Sequence, residues 1–185
     1  VKTLPVFLFF TFFILPTAAK AQLAVYGDAS VLHLSQPATS TTPSDSAWFG
    51  GPGVGIYDDF AHLGPLAAGL DLRGNYLFAS GQKYRDVLLG VRASVHPPFL
   101  PLRPYVQGSI GVGGSKPDSN DSLATHFNNK FEYQVAGGLD LGIFPHLDYR
   151  VAEVAYSRVS TASSAQTSTQ SNLVTVSTGI VLRFF

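Results

Sequence analysis

The segment Asn172–Phe184, NLVTVSTGIVLRF, decides how this chain folds. Side chains alternate across a strand with period two. Val174, Val176, Thr178, Ile180, Leu182 and Phe184 therefore share one face, and Thr175, Ser177, Gly179, Val181 and Arg183 share the other. The first face is oily and closes on an aromatic ring. Such a strand suits the wall of a closed barrel whose outer face meets lipid. Phe185 lies one position past this phase, on the polar side, and the pattern gives no physical account of it.

The opposite end of the chain indicates where such a strand is delivered. Lys2 precedes the apolar run LPVFLFFTFFILP, residues 4–16, and Ala19, Lys20 and Ala21 follow it. A charged start, a short apolar core and an A-x-A site make up a secretory signal peptide. The run falls short of the roughly 20 apolar residues that a spanning helix needs. Residues 1–21 are expected to be a cleaved signal peptide and residues 22–185 a single barrel domain.

Composition removes several function classes. Charged residues make up 13% of the chain and the net charge is zero, so the basic patch that nucleic acid requires is not expected. Cysteine is absent, which excludes disulfides and thiolate chemistry. Without the leader, no apolar run is long enough to cross a bilayer as a helix. A membrane-embedded mature chain would then have to be a closed barrel, the remaining structure that satisfies every backbone hydrogen bond in lipid.

The pattern predicts eight strands, over residues 23–34, 48–60, 66–78, 84–96, 103–113, 131–143, 149–159 and 172–184. Connections after the second, fourth and sixth (AHLGP, PPFLPL, FPHLD) are short and contain Pro. Those after the first, third, fifth and seventh, residues 35–47, 79–83, 114–130 and 160–171, are mostly longer and polar. Short turns at one end and long loops at the other describe an up-and-down antiparallel transmembrane barrel, with both chain ends in the periplasm and four loops outside the cell.

Most strands separate oil from charge. In the third, Leu66, Ala68, Leu70, Leu72, Tyr76 and Phe78 alternate with Ala67, Asp71, Arg73 and Asn75. The fourth sets Val87, Leu89, Val91, Ala93 and Val95 against Gly90, Arg92, Ser94 and His96. The fifth sets Val106, Ile110 and Val112 against Tyr105, Gln107 and Ser109. The sixth sets Tyr133, Val135, Leu139 and Leu141 against Glu132, Gln134, Gly138 and Asp140. The seventh is least regular. There Glu153 shares a phase with Tyr149, Val151 and Ser157, whereas Arg150 and Arg158 fall with Ala152, Val154 and Tyr156 on the lipid side, near strand ends where such a charge costs only about 0–1 kcal/mol.

Alternation alone leaves the inside undecided, because a soluble barrel with an oily lumen has the same period. The polar phase here is Gly, Ser, Gln, Asn, Tyr and isolated Asp or Arg, not the Lys and Glu of a soluble exterior. The lysines beyond the leader, Lys83, Lys116 and Lys130, are expected in the outward loops. Trp48, Phe49, Phe60, Phe78, Tyr84, Phe131, Tyr149 and Phe184 gather near strand ends as interfacial girdles would.

The segments GPGVGIYDDF (51–60), GPLAAGLDLRGNYL (64–77), RPYVQGSIGVGG (103–114), FEYQVAGGLDLGIFPHLDYRVAEVAYSRV (131–159) and NLVTVSTGIVLRF (172–184) together resemble the small outer-membrane β-barrel domains of the OmpA-like group. The resemblance covers nearly all of the chain beyond the leader. It implies a monomeric barrel in the outer membrane of a diderm bacterium, with outer-membrane lipid and the barrel assembly machinery as partners. Val176, Ile180, Leu182 and Phe184 would serve as the insertion signal. A strand pattern specifies architecture and says little of activity. Neither a peptidoglycan-binding domain after the last strand nor a cell-wall anchoring role is expected.

Six charges, Asp28, Asp71, Arg73, Arg92, Asp140 and Glu153, are expected inside the lumen. Eight strands leave an interior just wide enough for side chains to fill, so an ion-pair network that plugs the barrel is expected. The alternative is a gated narrow pore for small solutes or ions. Ser94 and His96 share the inward phase, with Asp86 on the same strand, which raises a lipid-modifying enzyme. No nucleophile motif supports it, and His96 lies at the turn end rather than the loop end. No enzymatic activity is therefore expected. His33, His62, His96, His126 and His146 lack metal-pair spacing, and neither a metal nor another cofactor is expected. The stretches GGPGVG (50–55) and GVGG (111–114) lack the lysine and helix of a phosphate loop, and their glycines are expected to serve barrel curvature. The role foreseen is structural or interactive, through loops whose ligand is not legible in their composition.

Overall fold

A computed structural model describes residues 22–36, 45–117, 128–160 and 171–184. They form eight strands: β1 Gln22–Gln36, β2 Asp45–Leu63, β3 Leu66–Ala79, β4 Gln82–Val95, β5 Leu102–Pro117, β6 Asn128–Phe144, β7 Leu147–Ser160 and β8 Ser171–Phe184. Each is antiparallel to its sequence neighbours, and β1 pairs with β8 from Leu23↔Phe184 to Ser35↔Asn172, so the sheet closes into a barrel with no free edge. The proposed leader, His126, Phe185 and most of three long connections lie outside the described residues.

All eight expected strands are present, and several are longer than their apolar patterns. The ladder needs only backbone partners, so it continues past the last oily residue. Lys83, Lys116 and Lys130, expected in loops, accordingly stand on the ends of β4, β5 and β6. Three tight connections, Leu63–Leu66, Val95–Leu102 and Phe144–Leu147, define a turn end, and the Pro that each contains suits a segment outside the ladder. At the loop end, β3 and β4 join through Ser80 and Gly81, with Gly81 at φ +75° where a side chain would be strained.

The oily phase faces out. Val174, Val176, Ile180, Leu182 and Phe184 of β8 are exposed, as are Leu66, Leu70, Leu72, Val87, Leu89, Val91, Val106, Ile110 and Val112 around the wall. The polar phase is buried inside. The soluble alternative, with an oily lumen, is the reverse of this arrangement.

Two expected aromatic positions change sides of the argument. Phe49 and Tyr84 are only 1% and 2% exposed and sit in the lumen with Leu32, Leu77, Val159 and Leu173. Proximity to a strand end suggested a girdle, but parity aims these two rings inward. Trp48, Phe60, Phe78, Phe131, Tyr149 and Phe184 do lie on the exterior.

Arg150 is the larger correction. It is fully buried in the lumen, not on the lipid side. Between Arg150 and Glu153 the register of β7 against β8 moves from Gly179 to Ser177, so β7 carries one extra residue there. A bulge of this kind resets the alternation. Tyr149 and Val151 face out, while Arg150 and Glu153 both face in. Arg158, beyond the bulge, stays outside.

Candidate functional site in the lumen

The interior is layered along the barrel axis. Next to the loop end is the apolar cluster around Leu32, Phe49 and Leu77. Beneath it, Tyr84 donates to Glu132 Oε2 at 2.6 Å and Asn75 Nδ2 donates to Asp86 Oδ1 at 2.9 Å. The central layer holds three arginines. Nearer the turn end, Asp148 accepts from Arg103 Nη1 at 2.8 Å and from Arg183 Nη2 at 3.0 Å.

All six sequence-derived lumen charges meet in the central layer, with Arg150 added. Arg73 reaches across the lumen to Glu153 through both terminal nitrogens, Nη1 at 2.6 Å and Nη2 at 3.2 Å. Its Nε donates to Asp71 Oδ1 at 2.9 Å, and Nη2 also donates to Gln107 Oε1 at 2.8 Å. Asp71 accepts from Tyr26 OH at 3.0 Å and Gln107 Nε2 at 2.8 Å, while Glu153 accepts from Tyr105 OH at 2.6 Å. Charge-assisted bonds of this density are what a buried carboxylate needs in place of water.

The second cluster hangs on Asp140, which accepts from Arg92 Nη2 at 2.8 Å and Arg150 Nε at 3.1 Å. Arg150 Nη1 also lies 3.7 Å from Asp28 and 3.6 Å from Glu153. Arg150 thereby joins the two clusters into one network. Tyrosine rings complete the packing: Arg92 lies over Tyr105 at 3.6 Å and Tyr57 at 4.2 Å, and Arg150 over Tyr26 at 4.2 Å. Cation–π contacts of this kind strengthen where water is excluded.

Glycine makes room for those rings. Tyr26 pairs across the ladder with Gly55, and Tyr105 with Gly138. A Cβ at either glycine would run into the ring of its partner. The tyrosines therefore lie flat over the neighbouring strand and reach into the lumen, an arrangement used to cover glycines in curved sheets.

Sequence reasoning missed the tyrosine contribution because a Tyr on the inner phase gives no sign of its partner. It missed Arg150 because one bulge inverts the parity. Among the residues of this layer, Arg92 Nε and Nη1 and Arg150 Nη1 and Nη2 have no hydrogen-bond partner. A cavity of about 10 Å³, bordered by Tyr26, Asp28, Arg73 and Glu153, has room for about one water.

The suspected Ser–His–carboxylate set takes a different form from the one expected. Asp86 is bonded to Asn75, toward the loop end, and Asp59 of β2 takes its place. Ser94 Oγ lies 3.2 Å from His96 Nε2 and 3.4 Å from Asp59 Oδ2. The carboxylate approaches the same ring nitrogen as the serine, at 3.8 Å. In a relay the acid would hold the opposite nitrogen. Burial, with Arg103, His62 and Arg92 nearby, lowers the His96 pKa to about 4. His62 and His96, distant in sequence, have ring centroids 6.4 Å apart. No cluster of three metal-ligating side chains occurs among the described residues.

No protein-family profile matches the chain, and no curated protein matches it in sequence. Solved structures do match its shape. Neisserial surface protein A superposes with a TM-score of 0.56 at 17% identity, over 87% of this chain and 99% of that one. Ail, the attachment invasion locus protein of Yersinia pestis, gives 0.56 at 10% identity, over 89% of this chain and 99% of that one. At such identities the likeness is one of fold.

Proposed function

We propose that this protein spans a bacterial outer membrane as a barrel closed by its ionic core, with a structural or surface-interaction role for its loop end. The carrying observation is the distribution of side chains: Leu, Val and Ile cover the outside, and arginines paired with carboxylates fill the inside. An apolar surface of that extent is incompatible with water, and a closed sheet satisfies the backbone in lipid. The fold shared with Neisserial surface protein A and Ail, both named for the cell surface or attachment, supports the same placement.

On this reading the turn end faces the periplasm and the long connections face outward. Val176, Ile180, Leu182 and Phe184 form the outward row of the closing strand, available to the assembly machinery before β8 pairs with β1. Electrophoresis of the chain refolded into lipid vesicles tests the placement. A mobility difference between boiled and unboiled samples is expected, and its absence together with failure to associate with vesicles would refute the reading.

A narrow pore is the second reading, favoured by the spare donors on Arg92 and Arg150. They could accept new partners if the central pairs rearranged. Planar-bilayer conductance separates the two, since the closed reading expects no steady current from the unaltered protein. An enzyme is not proposed, because the Ser94 and His96 pair lacks a correctly placed acid and Ser94 is buried.

A further inference from the structure

The outer face carries a row of cations near the loop end. Of the carboxylates whose side chains the structure describes, Asp58 faces outward and the others lie in the lumen. Asp58 pairs with outward Leu70 near the turn end. At the loop end, four cations stand on the outer face. Lys83 pairs with outward Phe78, Arg85 with outward Tyr76, Lys116 with Lys83, and Arg158 with outward Tyr133. They run across β4, β5 and β7 beside the aromatic residues Tyr76, Phe78, Phe131, Tyr133 and Tyr156, all exposed.

From this we infer that Lys83, Arg85, Lys116 and Arg158 form a lateral binding band for the phosphate groups of an anionic glycolipid in the outer leaflet. The inference rests on the membrane placement above. Two features favour a lipid over a soluble polyanion. The side chains project sideways from the wall, not upward from the mouth. They adjoin the aromatic belt, which sits at headgroup depth.

Polar neighbours complete the band. Arg85 Nη2 donates to Asn129 Oδ1 at 3.3 Å, and Arg158 Nε donates to Tyr156 OH at 3.0 Å and Asn172 Oδ1 at 3.2 Å. These contacts hold both guanidinium groups against the wall, and Asn129, Tyr156 and Asn172 can contribute hydrogen bonds to a sugar headgroup.

The test uses the barrel refolded into phosphatidylcholine vesicles, with and without bisphosphorylated lipid A, and reads the temperature at which heat-modifiable mobility is lost. Lipid A is expected to raise that temperature for the unaltered protein, and dephosphorylated lipid A is not. The variant carrying Lys83→Gln, Arg85→Gln, Lys116→Gln and Arg158→Gln is expected to fold with its lumen intact and to lose the response. Lipid A retention should fall roughly fivefold per charge removed at low salt. A Lys83→Arg, Lys116→Arg variant should keep the response. Equal responses from the unaltered and glutamine proteins would overturn the inference, as would equal responses to phosphorylated and dephosphorylated lipid. Binding to heparin in solution without any response to lipid A would overturn it in favour of an extracellular glycan. If the unaltered protein fails to insert even into plain vesicles, the membrane placement itself falls, an outcome distinct from insertion without a lipid A response.

Discussion

Arg150 Nε lies 3.1 Å from Asp140 Oδ1, and through this contact the two halves of the lumen network become one. Asp140 also binds Arg92, and Arg150 approaches Asp28 and Glu153. One guanidinium serves three carboxylates in a setting without bulk water. Buried ion pairs are weak stabilisers compared with apolar packing, yet breaking one by removing a partner is costly.

Arg150→Ala is therefore expected to destabilise the barrel by about 3–5 kcal/mol, because Asp140 and Asp28 lose a buried cation. Arg158→Ala, on the exposed outer face, should cost less than about 1 kcal/mol in vesicles without anionic lipid. Urea titration of the two vesicle-inserted variants by tryptophan fluorescence makes the comparison. Equal costs would contradict the burial of Arg150.

Gly138→Ala should cost about 1–3 kcal/mol, the usual penalty of overpacking, since the added Cβ meets the Tyr105 ring. Tyr105→Ala removes the ring but also the hydroxyl that binds Glu153. In the double variant the Gly138→Ala penalty should largely vanish. Additive losses would show that the ring does not lie over the glycine.

Arg73→Ala removes the two-nitrogen contact to Glu153, leaving it Arg150 and the Tyr105 hydroxyl, and opens space beside it. If the ionic core closes the lumen, the variant should pass a steady current in planar bilayers where the unaltered protein is silent. Arg92→Ala should do the same at the Asp140 cluster. Silence from both variants would place the barrier elsewhere, with the apolar layer of Leu32, Phe49 and Leu77 as the next candidate.

His96 contributes a pH dependence whose sign follows from its lowered pKa of about 4. A free imidazole titrates near about 6.5, so between these values the unfolded chain binds a proton that the folded one does not. The contribution to stability is present above about pH 6.5 and is lost as the pH falls toward about 4. The ring is partly solvated, so the loss should be on the order of 1 kcal/mol after screening is allowed for. His96→Gln should flatten that part of the profile in equilibrium unfolding, and an unchanged slope would count against the assignment.

Period-two alternation carried the eight strands and the outward row of β8, because a strand's two faces follow from local geometry alone. The residue types on each phase also pointed to the side that meets lipid. Asp28, Asp71, Arg73, Arg92, Asp140 and Glu153 were legible as inward charges on the same grounds. Their pairing was not, since Arg73 and Glu153 are eighty positions apart and meet only when the barrel closes. Phe49 and Tyr84 show that nearness to a strand end does not say which way a ring points. Arg150 shows the limit most clearly. Its side was decided by one extra residue in β7, and a bulge is selected by how β6 and β8 pair with β7 on either side, a balance over three strands that no single segment contains.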